Sequence, residues 1–186
     1  MKSSRIVLIL FWVVALVQLT VATSQLWRSE WTLRKGKAYK FKTAPVDPYD
    51  AFRGRYVALA FEQREAPWEG EARARRGDSA YAVLSEDADG FARVARLTPE
   101  RPESGDYFRV KTGYSSKSNH VSFSFSFDRF YMEERKATEA ERVYRENSRN
   151  TYAVVRVRDG VGVIEDLFVG DKPIRELATT ARRPLP

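Results

Sequence analysis

Two aspartates and an arginine form the most distinctive polar group of the chain. Asp47, Asp50 and Arg53 lie in a stretch that contains two prolines and ends at a glycine, directly before a strand-like segment. Carboxylates and a guanidinium that cluster at one end of a sheet can bind a charged group of a ligand or partner. The same residues can instead shape a turn, because prolines fix φ and aspartates accept hydrogen bonds from nearby backbone amides. We interpret the stretch first as a turn, with a binding site at these three residues as the alternative.

Other groups with catalytic potential are weaker. The chain has no cysteine and one histidine, His120, which excludes disulfides, a thiol nucleophile and a Cys/His zinc site. Ser115 and Ser116 stand beside Lys117, but the Ser-x-x-Lys spacing of Ser/Lys hydrolases is missing, so a polar hairpin loop fits better. Basic residues interleave with a run of glutamates, which favours a solvated helix face over paired catalytic carboxylates: Glu133, Glu134, Glu139 and Glu141. We therefore assign no catalytic residue and expect no metal and no cofactor.

The first 27 residues carry the clearest signal for location. No charge occurs between Arg5 and Arg28, and a helix of this length, at about 1.5 Å per residue, crosses a hydrocarbon core of about 30 Å. Basic residues before the segment and tryptophans after it predict a single-pass signal anchor in the cytoplasmic membrane, with the N-terminus inside and the rest outside, periplasmic in a Gram-negative bacterium. A cleaved signal peptide is the alternative. The apolar run is longer than the usual stretch of about 7–15 residues, and its one small-x-small site is poor.

The formal net charge of +7 is divided unevenly between the anchor and the rest of the chain. Residues 1–35 hold five basic residues and one acidic residue, a net charge of +4, and the remaining residues hold 27 basic and 24 acidic residues, a net charge of +3. More than half of this excess positive charge lies beside the membrane, where it can act on topology or on anionic headgroups. The densest basic cluster elsewhere, Arg73, Arg75 and Arg76, is flanked by acids, so we expect no nucleic-acid partner.

After Gly36 the apolar pattern has a period of two, which predicts a mainly β, β-rich α+β domain. Strands are predicted at residues 38–43, 56–62, 79–84, 91–97, 107–112, 120–127, 151–158 and 161–169. Turn residues predict a turn at 87–90 and a hairpin at Asp159-Gly160. Residues 65–77 and 98–105 are interpreted as loops.

One helix is predicted inside this domain. Thr138-Glu-Ala-Glu141 matches a capping box, which places the helix start there, and residues 147–150 end it. Residues 28–35 are predicted to continue the anchor helix. We therefore divide the chain into a membrane anchor with a juxtamembrane helix (1–35), a single β-rich extracytoplasmic domain (36–178) and a flexible tail (179–186).

Two segments resemble the bacterial GDYxxLxY-motif family of small membrane-anchored proteins. The first is Pro45-Val46-Asp47-Pro48 followed by Gly54, Tyr56, Leu59 and the aromatic Phe61; the second is Arg129-Phe130-Tyr131-Met132-Glu133-Glu134. The motif is degenerate here, GRYVALAF, because Arg55 replaces its aspartate and Phe61 its tyrosine. Any role of that carboxylate or hydroxyl is therefore absent. The anchor and the valine-rich final hairpin also fit, so the resemblance covers most of the chain. The family has no established activity, so no catalytic residue is transferred.

These observations predict a membrane-anchored accessory protein that binds a partner protein in the cell envelope, because a tether favours encounters with membrane partners. The predicted binding residues come from the two motif segments: Asp47, Asp50, Arg53, Tyr56, Tyr131 and Glu133. One alternative is an envelope hydrolase that uses carboxylates or a Ser/Lys pair. Another is a carrier of lipids or small molecules, in which Phe123, Phe125 and Phe127 line a cavity rather than a packed core.

Overall fold

A long N-terminal helix precedes the β-rich part of the chain. The computed structural model describes residues 2–45, 56–115 and 119–180. The first helix, α1, spans Lys2–Lys35, which confirms that residues 28–35 continue it. By length and composition α1 is able to cross a membrane, and none of its most apolar window is buried against the rest of the chain. The helix ends where the Gly36 N–H donates a hydrogen bond to the Thr32 carbonyl at 2.8 Å.

Strands dominate the chain after α1, which confirms the β-rich fold class. Within the described residues the strands are β1 (Lys37–Ala44), β2 (Tyr56–Ala58), β3 (Ala60–Phe61), β4 (Glu65–Pro67), β5 (Ser79–Glu86), β6 (Ala92–Thr98), β7 (Tyr107–Ser115), β8 (His120–Phe125), β9 (Arg129–Tyr131), β10 (Thr151–Arg158), β11 (Val161–Val169) and β12 (Lys172–Pro173). Two further helices are α2 (Glu134–Asn147) and α3 (Ile174–Thr180), and a 3-10 turn covers Ser148–Asn150.

Antiparallel pairing arranges the described strands in three sheets. One sheet has the order β12-β11-β10-β1-β3, a second has the order β4-β8-β7-β5-β6, and β2 and β9 form a small third sheet. The predicted hairpin at Asp159-Gly160 is confirmed, since both residues have positive φ, 49° and 80°, as a type I′ turn requires. The turn at residues 87–90 is also confirmed, and the Asp87 carboxylate accepts hydrogen bonds from the Phe91 and Asp89 N–H groups.

Some predicted boundaries are wrong. The predicted strand 56–62 is two strands in different sheets, because the chain leaves β2 at Leu59 and joins β1 as β3. The predicted loop 65–77 contains β4, and the strand predicted to reach residue 127 ends at Phe125. Helix α2 begins at Glu134 rather than Thr138, without a side-chain capping bond. Ala137 is buried, and this packing stabilises an additional helical turn before Thr138. Of the predicted tail, residues 181–186 lie outside the described residues.

Phenylalanines from both large sheets meet in one core. Phe41 of β1 and Phe61 of β3 pack against Phe108 of β7, Phe125 of β8 and Phe127, with ring centroids 4.3–6.1 Å apart. Phe123, at the other end of the alternating stripe, is 7% exposed. Phe123 and Phe127 are buried in this core, whereas Phe125 is half-buried and also borders an open groove. The rings pack mainly against one another, which favours the core interpretation over a closed cavity lined by all three.

Candidate functional site

The two motif segments, far apart in the sequence, meet as the strands of the small sheet. β2 comes from the first segment and β9 from the second, and their antiparallel register opposes three pairs: Tyr56 with Tyr131, Val57 with Phe130, and Ala58 with Arg129. Because side chains alternate across a strand, the first and third pairs share one face and the second pair lies on the other. The small sheet therefore has an inward and an outward face.

The inward half of the motif builds the fold. Val57 and Phe130 are 0% and 2% exposed. Leu59 is also buried, and its N–H donates to the Asp128 carbonyl at 2.9 Å, which extends the pairing by one residue. Phe61 then enters the aromatic core on β3. The motif thus joins the small sheet to the first large sheet, and these apolar positions need no ligand to explain them.

The outward half carries Tyr56, Arg129 and Tyr131, which we call the motif face. The two tyrosine rings lie 5.5 Å apart between centroids, and the Arg129 guanidinium lies 5.2 Å from the Tyr56 ring centroid. A hydrogen bond with Tyr131 raises the pKa of Arg129 above its ordinary value. Tyr131 is 62% exposed. An arginine that stays charged beside one exposed and one half-buried aromatic ring suits recognition of a partner rather than proton transfer.

Glu133 is the one other predicted site residue that the structure describes, and it lies at the start of α2. Glu133 precedes α2, where its carboxylate pairs with Lys136 at 3.3 Å and its carbonyl accepts the Lys136 and Ala137 N–H groups. Glu133 thus serves the start of the helix. The predicted binding residues Asp47, Asp50 and Arg53 lie outside the described residues, as does the Ser116-Lys117 pair.

An open groove of about 780 Å³ runs beside the motif face. Its walls are residues 125–131 and 162–165, and Ser29 and Leu33 of α1 close one end. We call it the motif groove. In the described part of the chain, β9 pairs with β2 alone, and β11 pairs with β12 only at Phe168 and Val169. Both strands therefore present an outer edge without a strand partner where they line the groove.

Charged groups at the groove are paired with one another. The Arg156 guanidinium makes two hydrogen bonds to the Glu165 carboxylate, at 2.7 and 2.9 Å, which raise the pKa of Arg156. Arg175 pairs with Asp166 at 3.4 Å and lies 5.0 Å from the Phe130 ring centroid. Among the residues that the structure describes, no group of three or more His, Asp or Glu side chains could hold a metal ion.

The comparisons with known proteins identify the family. A family model described as GDYXXLXY protein matches residues 18–167, most of the chain. The chain belongs to the GDYXXLXY family. No curated protein and no solved structure matches it. The matched region contains both motif segments and residues 162–165 of β11, which line the motif groove.

Sequence reasoning missed two contributors to this GDYXXLXY site. Arg129 belongs to the second motif segment but is not among the predicted binding residues. It stands two residues before Tyr131, so in a strand the two side chains share one face. Arg175, which covers the Phe130 ring, had no signal, because it lies outside both motif segments and reaches the groove only through folding. Tyr56 and Tyr131 were both predicted, and the structure brings them together.

Proposed function

We propose that this GDYXXLXY protein is a membrane-anchored accessory protein that binds an extended segment of an envelope protein in the motif groove. The observation that carries the proposal is the pairing of the two motif segments into an outward face beside two strand edges that lack strand partners among the residues the structure describes. An extended segment can add to such an edge through main-chain hydrogen bonds. The exposed Tyr131 and the Arg129 guanidinium supply the side-chain contacts, since Tyr and Arg are enriched in interfaces.

The anchor places this groove at the membrane surface in the proposed topology. Basic residues before the apolar run and tryptophans after it favour an N-terminus inside the cytoplasm and a domain on the outer face. Ser29 and Leu33, just beyond the apolar run, border the groove, so a bound segment lies close to the bilayer. A tether raises the effective concentration for partners in the same membrane, which offsets a modest intrinsic affinity.

The hydrolase alternative finds less support in the geometry. It requires Asp47, Asp50, Glu133 or Lys117 to converge, and Glu133, the one described member of this set, is engaged with Lys136 and the start of α2. The carrier alternative requires a cavity lined by Phe123, Phe125 and Phe127, whose rings are part of the aromatic core. Binding of a partner segment therefore remains the best-supported function.

Photo-crosslinking in intact membranes tests the proposal. A photoreactive phenylalanine analogue replaces Tyr131 at the motif groove or, as the matched control, Tyr114 on β7. The two tyrosines have similar exposure, 62% and 71%, but Tyr114 does not line the groove. We expect one discrete adduct with an envelope protein from position 131 and none from position 114. The Arg129→Ala variant should weaken the adduct. Equal adducts from both positions, or an adduct only between copies of this chain, would refute the proposal.

A further inference from the structure

A second cleft, separate from the motif groove, lies at the membrane end of the β-rich part. It has a volume of about 510 Å³ and is lined by four arginines and two tryptophans, Arg28, Arg101, Arg109, Arg158, Trp27 and Trp31. We call it the arginine cleft. Asp159 is its one acidic lining residue in the described structure. The cleft therefore carries a clear excess of positive charge.

Three parts of the chain meet to build this cleft. The last turns of α1 pack against β10 and β11, and Thr32 is 3% exposed at that contact. The Arg109 N–H on β7 donates to the Gly160 carbonyl at 3.0 Å, which joins the second large sheet to the turn between β10 and β11. Arg158 lies on the same turn and pairs with Asp159 at 3.1 Å. Arg28, Arg109 and Arg158 are thus held on packed elements, whereas Arg101 reaches the cleft from the loop between β6 and β7.

Aromatic rings lie against three of these arginines, and only Arg158 of the three also pairs with an acid in the described structure. Each guanidinium lies over a ring at a centroid distance of 5.6 to 5.9 Å: Arg158 over Trp31, Arg101 over Tyr107, and Arg109 over Tyr81. Such stacking orients a guanidinium without neutralising it. Within the described residues, Arg28, Arg101 and Arg109 form no ion pair. Their charges and fork-shaped donor sets are therefore available to an anion.

The position of the cleft relative to the bilayer indicates which kind of anion it binds. Trp27 ends the charge-free run of α1 and Arg28 follows it, after 22 residues without a charged side chain. A helix of that length rises about 33 Å, which matches the hydrocarbon thickness and places Trp27 and Trp31 at the interface. The arginines of the cleft consequently lie at the level of lipid headgroups, where the most abundant anion is a phosphodiester.

We propose that the arginine cleft binds the phosphate of an anionic phospholipid headgroup. The guanidiniums of Arg101 and Arg109 donate to the phosphate oxygens, and Arg28 and Arg158 complete the positive wall. The tryptophans pack beside the upper acyl chain. A free phosphate has the same chemistry, but the location beside the end of the membrane segment commits the site to a lipid. A lipid held there fixes the orientation of the domain on the bilayer.

Native mass spectrometry of the full chain tests this site. The protein is purified in detergent micelles that contain equal amounts of phosphatidylglycerol and phosphatidylcholine. We expect the wild type to retain one phosphatidylglycerol in preference to phosphatidylcholine. The double variant Arg101→Gln with Arg109→Gln should lose this preference by about tenfold or more, because each charge-assisted hydrogen bond is worth about tenfold or more in affinity. Both arginines are exposed and without ion pairs in the described structure, so the fold should survive, as checked by near-ultraviolet circular dichroism.

A matched variant separates a built site from net charge alone. Arg73→Gln with Arg75→Gln removes the same charge from an exposed loop outside the cleft, and we expect it to keep the preference for phosphatidylglycerol. Addition of millimolar inorganic phosphate should leave the lipid bound. The proposal is overturned if the wild type shows no preference or if both double variants lose it equally. Displacement of the lipid by inorganic phosphate would identify a free-phosphate site instead and would also overturn it.

Discussion

The contact between Gly162 of β11 and the Phe127 ring sets the spacing of the two walls of the motif groove. A methyl group at position 162 would fall within 3.0 Å of two carbons of that ring, closer than non-bonded carbon atoms approach. Phe127 is 6% exposed and is surrounded by other rings, so it has little room to move. We therefore predict that Gly162→Ala destabilises the protein and displaces one wall of the groove.

The size of the effect follows from two opposing contributions. Overpacking of a filled core costs about 1–3 kcal/mol in the free energy of unfolding. Alanine recovers about 0.5–1 kcal/mol, because glycine loses more conformational freedom on folding. The Phe127 ring cannot yield cheaply, since its centroid lies 5.0 Å from Phe108 and 5.2 Å from Phe125. We expect a net loss of about 1–2 kcal/mol, which lowers Tm by about 2–8 °C in a chain of this size.

A double-mutant cycle with Phe127→Leu identifies the cause. Leucine lacks the ring carbons that the new methyl group would meet, so Gly162→Ala should cost less than about 0.5 kcal/mol in that background. The coupling between the two sites is then about 1 kcal/mol, as expected for residues in contact. Thermal melts of the full chain in detergent micelles, followed by near-ultraviolet circular dichroism, provide the measurement. An unchanged Tm for Gly162→Ala, or an equal loss in both backgrounds, would refute the reasoning.

Two further predictions concern buried and turn hydrogen bonds. Tyr144 is 1% exposed and its hydroxyl donates to the Ala44 carbonyl at 2.7 Å, so Tyr144→Phe should cost about 1–2 kcal/mol in the same melts. The hydrogen bond from the Phe91 N–H lowers the pKa of Asp87. The stabilisation that the ionised Asp87 carboxylate provides is therefore fully present when the pH is above the ordinary aspartate pKa of about 3.9. It is lost as the pH falls through the lowered pKa of Asp87. Asp87→Ala should accordingly lower Tm at pH 7, with a difference from wild type that shrinks below about pH 3.9.

Matched variants control both predictions. Tyr114→Phe removes an exposed hydroxyl and should change the free energy of unfolding by less than about 0.5 kcal/mol. Asp89→Ala removes a carboxylate from the same turn as Asp87 that accepts no hydrogen bond in the described structure. A Tyr144→Phe loss no larger than that of Tyr114→Phe, or a difference for Asp87→Ala that stays constant with pH, would contradict the respective prediction.

Local patterns were sufficient to predict most strands but not their partners. Val57, Leu59 and Phe61 alternate without interruption, and all three are buried, so a period of two predicts one continuous strand. The chain nevertheless changes sheet at Leu59, whose N–H bonds to Asp128. An alternating pattern indicates which face of a strand is buried. The pattern is the same before and after Leu59, where the chain changes sheet. Strand pairing depends on distant segments, and the pattern at residues 56–61 carries no information about them.

The same limit applies to the two sites. Tyr56 and Tyr131 were each recognised from a motif segment, but their cross-strand contact depends on a register that the sequence does not display. The arginine cleft was missed because each of its arginines is isolated in the sequence. The densest cluster, around Arg73 and Arg75, is instead an exposed loop. Density of charge along the chain is therefore a poor guide to density in space when sheets bring strands together.

The end of α1 connects both proposed sites to the helix that is able to cross a membrane. A Cβ at position 36 would lie 2.5 Å from the Thr32 O atom and 3.1 Å from both the Val157 N and O atoms, so glycine is needed where the chain passes from α1 into β1 beside β10. The helix therefore continues into the fold rather than through a flexible linker, and it packs on β10 and β11. Arg158, Asp159 and Val161 of this hairpin border the arginine cleft, and residues 162–165 border the motif groove. A headgroup bound in the cleft would thus hold the groove at a fixed height and angle, which reduces the orientational cost of binding a membrane partner.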